Sequence, residues 1–276
     1  MSGVVGAWLP PAEDEHLLQQ LAPMLRASQQ RGRGRIGYWT DAEAGLALGH
    51  CRAPTDTPLQ PLSSDCGRYV LCLDGRLYNR ADLQVQLRDL PRNCSDARLL
   101  LQAIVEWGVE RALSRIEGAF GFSVWDRESR ALWLARDPVG ERPLYYGWHQ
   151  GRFLFASELK ALQAFEGFSP SIDQDALSLL LRHDYVPAPH TIYRGIHKLV
   201  AGAMLRIDMN DHAAGHSSMA AQGGSRYWCA RDAMHSALQE PLQPAPSLEQ
   251  ATDQLEAVLQ KAIAARMHSP LACGAF

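Results

Sequence analysis

Leu71-Cys72-Leu73-Asp74-Gly75-Arg76-Leu77-Tyr78-Asn79 joins an apolar run to a polar segment, and the reading of that junction decides the fold. The run from Tyr69 to Leu73 has the length and apolar character of a buried strand. It is expected to stop at Asp74-Gly75, a turn-forming pair, before a short polar segment and a further helical pattern. A strand ending in such a turn leaves backbone N–H groups at its tip, and those groups suit a site that stabilises negative charge on oxygen. Standing alone, the same residues are an ordinary strand and turn, so their meaning comes from what surrounds them.

The chain has 276 residues, enough for one large domain or for one domain and a piece of another. An apolar share of 46% and a charged share of 21% are those of a soluble globular protein. The formal charge of −3 supplies no electrostatic attraction for nucleic acid or an anionic membrane, so neither is expected as a partner. No stretch approaches the roughly eighteen apolar residues of a membrane span. No basic segment followed by an apolar one opens the chain, and a cytoplasmic location is expected. Cys51, Cys66, Cys72, Cys94, Cys229 and Cys273 are scattered without a Cys-x-x-Cys pair and read as incidental thiols of a reducing compartment. The histidines show no ligand-like spacing, and no metal is expected.

Working outward, Met1-Ser2-Gly3-Val4-Val5-Gly6-Ala7-Trp8 reads as a buried first strand. Leu17, Leu18, Leu21, Met24 and Leu25 share one face of a helix predicted over 12–28. It leads into Gln30-Arg31-Gly32-Arg33-Gly34, a glycine-rich connector. Residues 46–50 read as a strand running into Cys51-Arg52, and 53–58 as an irregular loop. Ser95 is placed as the N-cap of a helix carrying Leu99, Leu100, Ile104 and Trp107, with Gly108 as its stop. Short β-type runs at 120–125, 131–135, 144–147 and 153–156 pair into two antiparallel hairpins through turns at 126–129 and 148–151. Asp173 is expected to cap a further helix. From Asn210 to Gly224 the residues are small, polar and aperiodic, no strand pattern follows up to Pro246, and the stretch reads as a linker. Ser247-Leu248-Glu249-Gln250 is a capping box that opens a last helix with one apolar stripe.

In these surroundings the opening stretch resembles the Asn-Gly-Glu-Ile-Tyr-Asn signature of the class II glutamine amidotransferase domain at the front of asparagine synthetases. The resemblance continues in order through Ser95-Asp96, Gly118-Ala119-Phe120-Gly121-Phe122 and Ala135-Arg136-Asp137-Pro138-Val139-Gly140. It goes on through Pro143-Leu144-Tyr145-Tyr146, the segment from Phe155 to Leu162, and Tyr185-Val186-Pro187-Ala188-Pro189. It implies an α+β fold, a four-layer α/β/β/α sandwich of the N-terminal-nucleophile hydrolase type over 1–208, followed by a linker over 209–246. Residues 247–276 would then be the first helix of a truncated asparagine-synthetase ATP-binding domain. ATP and magnesium are expected only in that further domain, and no cofactor in this chain. Arg136-Asp137 and Glu158-Lys160 are read as supports at the edge of the core.

The same resemblance implies roles. Where the family has a cysteine that becomes both N-terminus and nucleophile, with its α-amine (ordinary pKa about 7.7 to 8.0) as base, this chain has Ser2. Ser2 also reads as no more than the start of a strand. Arg52 matches the arginine that pairs with the α-carboxylate of glutamine, a task suited to the forked guanidinium. Asp96 matches the aspartate that holds the α-amino group, and it also suits the first turn of a helix. Asn79 is placed with Arg52 and Asp96 among the substrate-binding residues. Gly75 keeps the glycine of the oxyanion hole, while Asp74 replaces the asparagine whose amide N–H completes it, and Arg76 replaces a glutamate. Losing one such donor costs about 2.7 to 4 kcal/mol of transition-state stabilisation, and a carboxylate there adds repulsion.

The expected function is therefore that of an amidotransferase-type domain of an asparagine-synthetase-like, ATP-dependent amide-forming ligase, with glutamine hydrolysis weak or lost. In the intact family glutamine gives ammonia, and ammonia attacks an aspartyl-adenylate. Two alternatives stand beside it: a non-catalytic scaffold of a ligase like the lactam synthetases or lasso-peptide cyclases, and an amino-acid-binding module. Glutamine or a similar amino acid and a C-terminal ATP-binding synthetase domain are the partners implied, with a homodimer left open.

Overall fold

The fold comes from a computed structural model that describes residues 2–32, 34–52, 58–88, 90–91, 93–216, 220, 222–239 and 246–267. The first strand, β1 (Gly3–Trp8), is followed by helix α1 (Asp14–Ser28), the pair β2 (Ile36–Asp41) and β3 (Leu46–Cys51), the short β4 (Leu62–Ser63) and the long β5 (Tyr69–Leu77). Helices α2 (Arg80–Gln86), α3 (Asp96–Trp107) and α4 (Val109–Leu113) precede two hairpins, β6 (Gly118–Asp126) with β7 (Ala131–Arg136) and β8 (Tyr145–His149) with β9 (Arg152–Ala156). Then come α5 (Leu159–Gln163), α6 (Gln174–His183), β10 (Ile196–Lys198), β11 (Ala203–Ile207), α7 (Met209–Ala214) and β12 (Ser225–Arg226). Two further helices, Ala230–Gln239 and Leu248–Arg266, lie in a second compact unit that begins at Cys229.

The strands form two six-stranded antiparallel sheets, in the spatial orders β10-β8-β9-β1-β3-β2 and β12-β11-β7-β6-β5-β4. Period-two alternation explains the layering, because each strand sends successive side chains to opposite faces. On β1 and β3, Val4, Trp8, Leu46 and Leu48 face the other sheet, where Val70, Cys72, Trp125, Leu132 and Leu134 meet them. The other face of the first sheet packs Val5, Ala7 and Ala47 against Leu17, Leu21 and Met24 of α1 and Leu162 of α5. The other face of the second sheet packs Leu71, Leu73, Phe120 and Phe122 against Leu99, Leu100 and Ile104 of α3. Each fully buried Leu, Ile or Phe contributes about 1.5 to 3 kcal/mol, so three apolar layers hold the helix–sheet–sheet–helix sandwich. Trp8 and Trp125 meet edge to face at 5.1 Å between the two sheets.

Local signals behaved as their chemistry predicts. Ser95 caps α3 by accepting from the Arg98 backbone N–H at 3.2 Å, and Gly108 (φ 78°) stops that helix. Asp173 caps α6, and Ser247 and Gln250 make the reciprocal capping box of the last helix.

Two expectations need correction. β5 does not stop at Asp74-Gly75: it runs on to Leu77, with Asp74 opposite Gly121 and Gly75 opposite Phe120 on β6. Glycine is needed here for a close approach inside a ladder, since a Cβ on Gly75 would lie 2.2 Å from the Ala119 carbonyl oxygen. The segment 209–246 is likewise more than a connector. Asp208 and Asp211 form a capping box at α7, β12 pairs with β11, and Ala220 is buried under the Tyr146 hydroxyl, which donates to its carbonyl at 2.7 Å. The first compact unit extends to Trp228. These elements are too short to show a period, and cross-chain hydrogen bonds fix them instead. The expected loop at 53–57, the linker's 240–245 and the tail 268–276 lie outside the described residues. Among the described residues no helix is long and apolar enough to cross a membrane.

Candidate active site

Alternation along the strands also decides where the polar side chains go. Val4 and Leu48 face the inter-sheet space, so Ser2 just before β1 and Arg52 just after β3 follow the same face at the same end of the sandwich, next to the Gly3–Cys51 register pair. From the second sheet, Val70 and Cys72 put Asp74 on the face that looks at them. The Ser2 hydroxyl bridges the two sheets here, donating to Asp74 Oδ1 at 3.0 Å. Both residues are buried.

Arg31 completes the group. It arrives from the end of α1, where Gly32 permits the turn: a Cβ there would lie 2.4 Å from the Cys51 carbonyl oxygen. Its Nη2 donates to Asp74 Oδ2 at 2.7 Å, its Nε donates to the Ser2 carbonyl at 2.8 Å, and its Nη1 lies 3.6 Å from Glu158 Oε1. Glu158 in turn holds Lys160 at 2.9 Å. Ser2, Asp74, Arg31, Glu158 and Lys160 therefore form one continuous charged chain. The Arg31 and Asp74 side chains are 8% and 1% exposed, so this ion pair sits where screening by water is weak.

The free edge of β5 is lined by separate partners. Leu73 N–H donates to Gln60 Oε1 at 2.6 Å, and its carbonyl accepts from Gln60 Nε2 at 3.2 Å and meets His50 Nε2 at 3.1 Å. Leu77 N–H donates to Asp96 Oδ2 at 3.2 Å. Gly75 lies between these two residues, and antiparallel alternation turns its N–H toward the same edge. Asp96 is engaged further, since the Arg80 guanidinium hydrogen-bonds its other oxygen. Asn79 fastens the start of β6, donating to the Arg115 carbonyl at 2.8 Å and accepting from Glu117 N–H at 3.0 Å. Arg52 has a buried Nε with no hydrogen-bond partner among the described residues.

The sequence model of the family described as a glutamine amidotransferase domain matches residues 1–218. The chain belongs to that family. Its curated relatives include a putative asparagine synthetase [glutamine-hydrolyzing] of Mycobacterium tuberculosis (strain ATCC 25618 / H37Rv), 31% identical over 268 residues, covering 90% of this chain and 38% of the relative. Asparagine synthetase [glutamine-hydrolyzing] 1 of Bacillus subtilis (strain 168) is 29% identical over 215 residues, covering 75% of this chain and 33% of the relative. This chain thus spans little more than a third of the length of these relatives. Among solved structures, the glutamine phosphoribosylpyrophosphate amidotransferase of B. subtilis superimposes with a TM-score of 0.56 at 22% identity, over 75% of this chain and 47% of that one. That likeness concerns the fold, the two-sheet sandwich of the N-terminal-nucleophile hydrolases.

Within this amidotransferase domain, the residues named from sequence do not form one open cluster. Ser2 and Asp74 are in contact, Gly75 adjoins them on β5, and Arg52 shares the Ser2 end of the first sheet. Asp96 meets β5 at Leu77, three residues along the strand from Asp74, or roughly 10 Å. Asn79 is spent on holding the chain. The sequence reading missed Arg31 and Gln60 as site residues and gave Glu158 and Lys160 only a supporting place at the core edge. The Arg31-Gly32 pair, which the resemblance matches to the start of the family's Arg-Gly-Pro-Asp loop, is the available signal for the first.

Two thiols lie on the strands beside this site, and both are buried: Cys72, two residues before Asp74 on β5, has its pKa raised by burial. The Cys51 side chain faces the α1 layer and donates to the Leu25 carbonyl, and burial first, then Glu158, pushes its pKa up to about 11. Among the described residues no group of His, Cys, Asp or Glu side chains is arranged to hold a metal ion.

Proposed function

We propose that this domain is the amidotransferase-type module of an asparagine-synthetase-like amide-forming ligase, and that its own hydrolytic centre is disarmed. The observation that carries the reading is the Ser2–Asp74–Arg31 contact. Hydrolysis of a side-chain amide needs a nucleophile with a base free to take its proton, and donors aimed at the developing oxyanion. Here the carboxylate that accepts from the Ser2 hydroxyl is clamped by Arg31, which makes it a poor base, and by the resemblance it stands where the family has an oxyanion donor, so it would repel the developing charge. Arg31 is the cation that makes a buried Asp74 tolerable. ATP-dependent activation of an acceptor would belong to a further domain, as the names of the asparagine-synthetase relatives suggest for those proteins.

A second reading, an amino-acid-binding module, has one specific support: the buried Nε of Arg52, unpartnered among the described residues. An α-carboxylate is the natural acceptor for such a group. Asp96 counts against it, because Arg80 and the Leu77 N–H already use both of its oxygens.

The test is ammonia release from glutamine by the Met-processed chain, by Ser2→Cys, and by Ser2→Cys combined with Asp74→Asn. The expected outcome is no release by the unmodified chain or by Ser2→Cys, and release by the double variant alone. Robust turnover by the unmodified chain would overturn the disarmed centre. Saturable heat with glutamine, lost in Arg52→Ala, would favour the binding module.

A further inference from the structure

The outer face of the second sheet carries a cleft of about 710 Å³, floored by β5, β6, β7 and β11 and walled by the α3–α4 junction. We propose that it is a binding site for a small planar anion, a molecule with a ring that can stack and a phosphate or carboxylate group. The cleft lies apart from the candidate active site. Tyr69 and Asp126, which line it, are register partners five residues along β5 from Asp74, or about 17 Å.

Three features point to this chemistry. The first is a concentration of cation–π pairs. Such pairs occur about once per 70 to 80 residues, so three or four scattered ones would be ordinary for this chain. Two of the pairs lie wholly in this cleft, Arg68 over Tyr69 at 4.9 Å and Arg206 over Trp133 at 5.8 Å, and a third, Arg115 over Trp107 at 4.4 Å, shares its ring with the cleft wall. Guanidinium groups held over aromatic rings form the kind of wall on which another ring stacks.

The second feature is the set of N–H donors left over after internal pairing. Arg68 is used up, with Nε and Nη2 on Asp126 at 3.0 and 2.7 Å and Nη1 on Glu128 at 2.5 Å, and this also neutralises the buried Asp126. Arg206 spends Nη1 on Asp208 at 2.9 Å and keeps Nε and Nη2. Arg111, also in the lining, makes no ion pair among the described residues, and Glu110 beside it on the rim balances its formal charge while leaving its N–H groups open. The cleft is left with unspent N–H donors around aromatic walls. Third, its volume falls in the roughly 300 to 1,000 Å³ range of small-molecule sites, which favours a ligand of nucleotide size over a protein partner.

The full chain is titrated calorimetrically with AMP and with indole-3-acetate, and with adenosine and inorganic phosphate as the separated halves. The expected result is saturable binding of AMP, at least about ten-fold tighter than adenosine or phosphate, or saturable binding of indole-3-acetate. Arg111→Glu and Arg206→Gln change exposed or half-exposed arginines, and each should weaken that binding about ten-fold or more with an unchanged thermal melt. Binding that ignores both variants, adenosine binding as tightly as AMP, or no saturation by any probe at millimolar concentration would each overturn the proposal.

Discussion

Asp74 and Arg31 decide what Ser2 can do, and their pairing has a measurable energy. Removing one partner of a buried ion pair leaves the other charge desolvated and unpaired, which costs about 3 to 5 kcal/mol. Arg31→Ala should therefore lower the urea midpoint by that equivalent, because Asp74 would lose Oδ2's partner and the Ser2 carbonyl would lose its donor. Arg31→Ala combined with Asp74→Ala should recover a large part of the loss. A small effect in the single variant would mean that water reaches Asp74 and compensates it. The identity of Asp74 and Ser2 was legible in the sequence. Their contact was not, because no local pattern encodes the distance between two sheets.

At the scale of elements, α7 and β10 are attached through histidines that burial keeps neutral. His212 on α7 stacks on Trp8 at 4.5 Å and 12°, and burial pulls its pKa below the ordinary value of 6.5 despite a hydrogen bond with the Leu9 backbone that raises it. His197 on β10 lies against Tyr146, and burial followed by repulsion from His190 depresses it, with Asp173 opposing. For a histidine depressed in the folded state, the unfolded chain binds more protons as pH falls. Stability should thus decline as pH drops below about 6.5 and level off beneath the folded-state pKa values. Melting temperatures across pH 7.5 to 5 should show this, and His212→Gln with His197→Gln should flatten it. A decline that starts only in the carboxylate range would assign acid sensitivity to Asp126 and Asp208 instead, both held low in the folded state. The main helices and hairpins were legible from their periods and caps. β5 was cut short on paper because Asp-Gly signals a turn wherever no neighbouring strand is considered, and β6 supplies that neighbour.

The whole molecule divides at residues 228 and 229 into two compact units. All three apolar layers belong to the first, while the helices Ala230–Gln239 and Leu248–Arg266 contain no buried residue. A chain ending at Trp228 should consequently melt within a few degrees of the full chain and keep its near-ultraviolet circular dichroism. A cut at 208 should not, since it removes Ala220 and Tyr227, whose hydrogen bonds with Tyr146 and the Arg136 carbonyl close the far edge of the sandwich. Leu255, Val258, Leu259 and Ile263 are exposed on the last helix, so its apolar stripe was readable in sequence without a core to receive it.

Taken alone, the sequence determined the family, the alternation that builds a sandwich, and the three departures at Ser2, Asp74 and Arg76, because each is written in residue identity or in a short period. The tertiary structure alone decided that Arg31, 43 residues before Asp74, closes on it, and that Arg80 occupies Asp96. Those pairings depend on how closely packed layers bring charges together in a dry interior, a distance that no stretch of chain carries by itself.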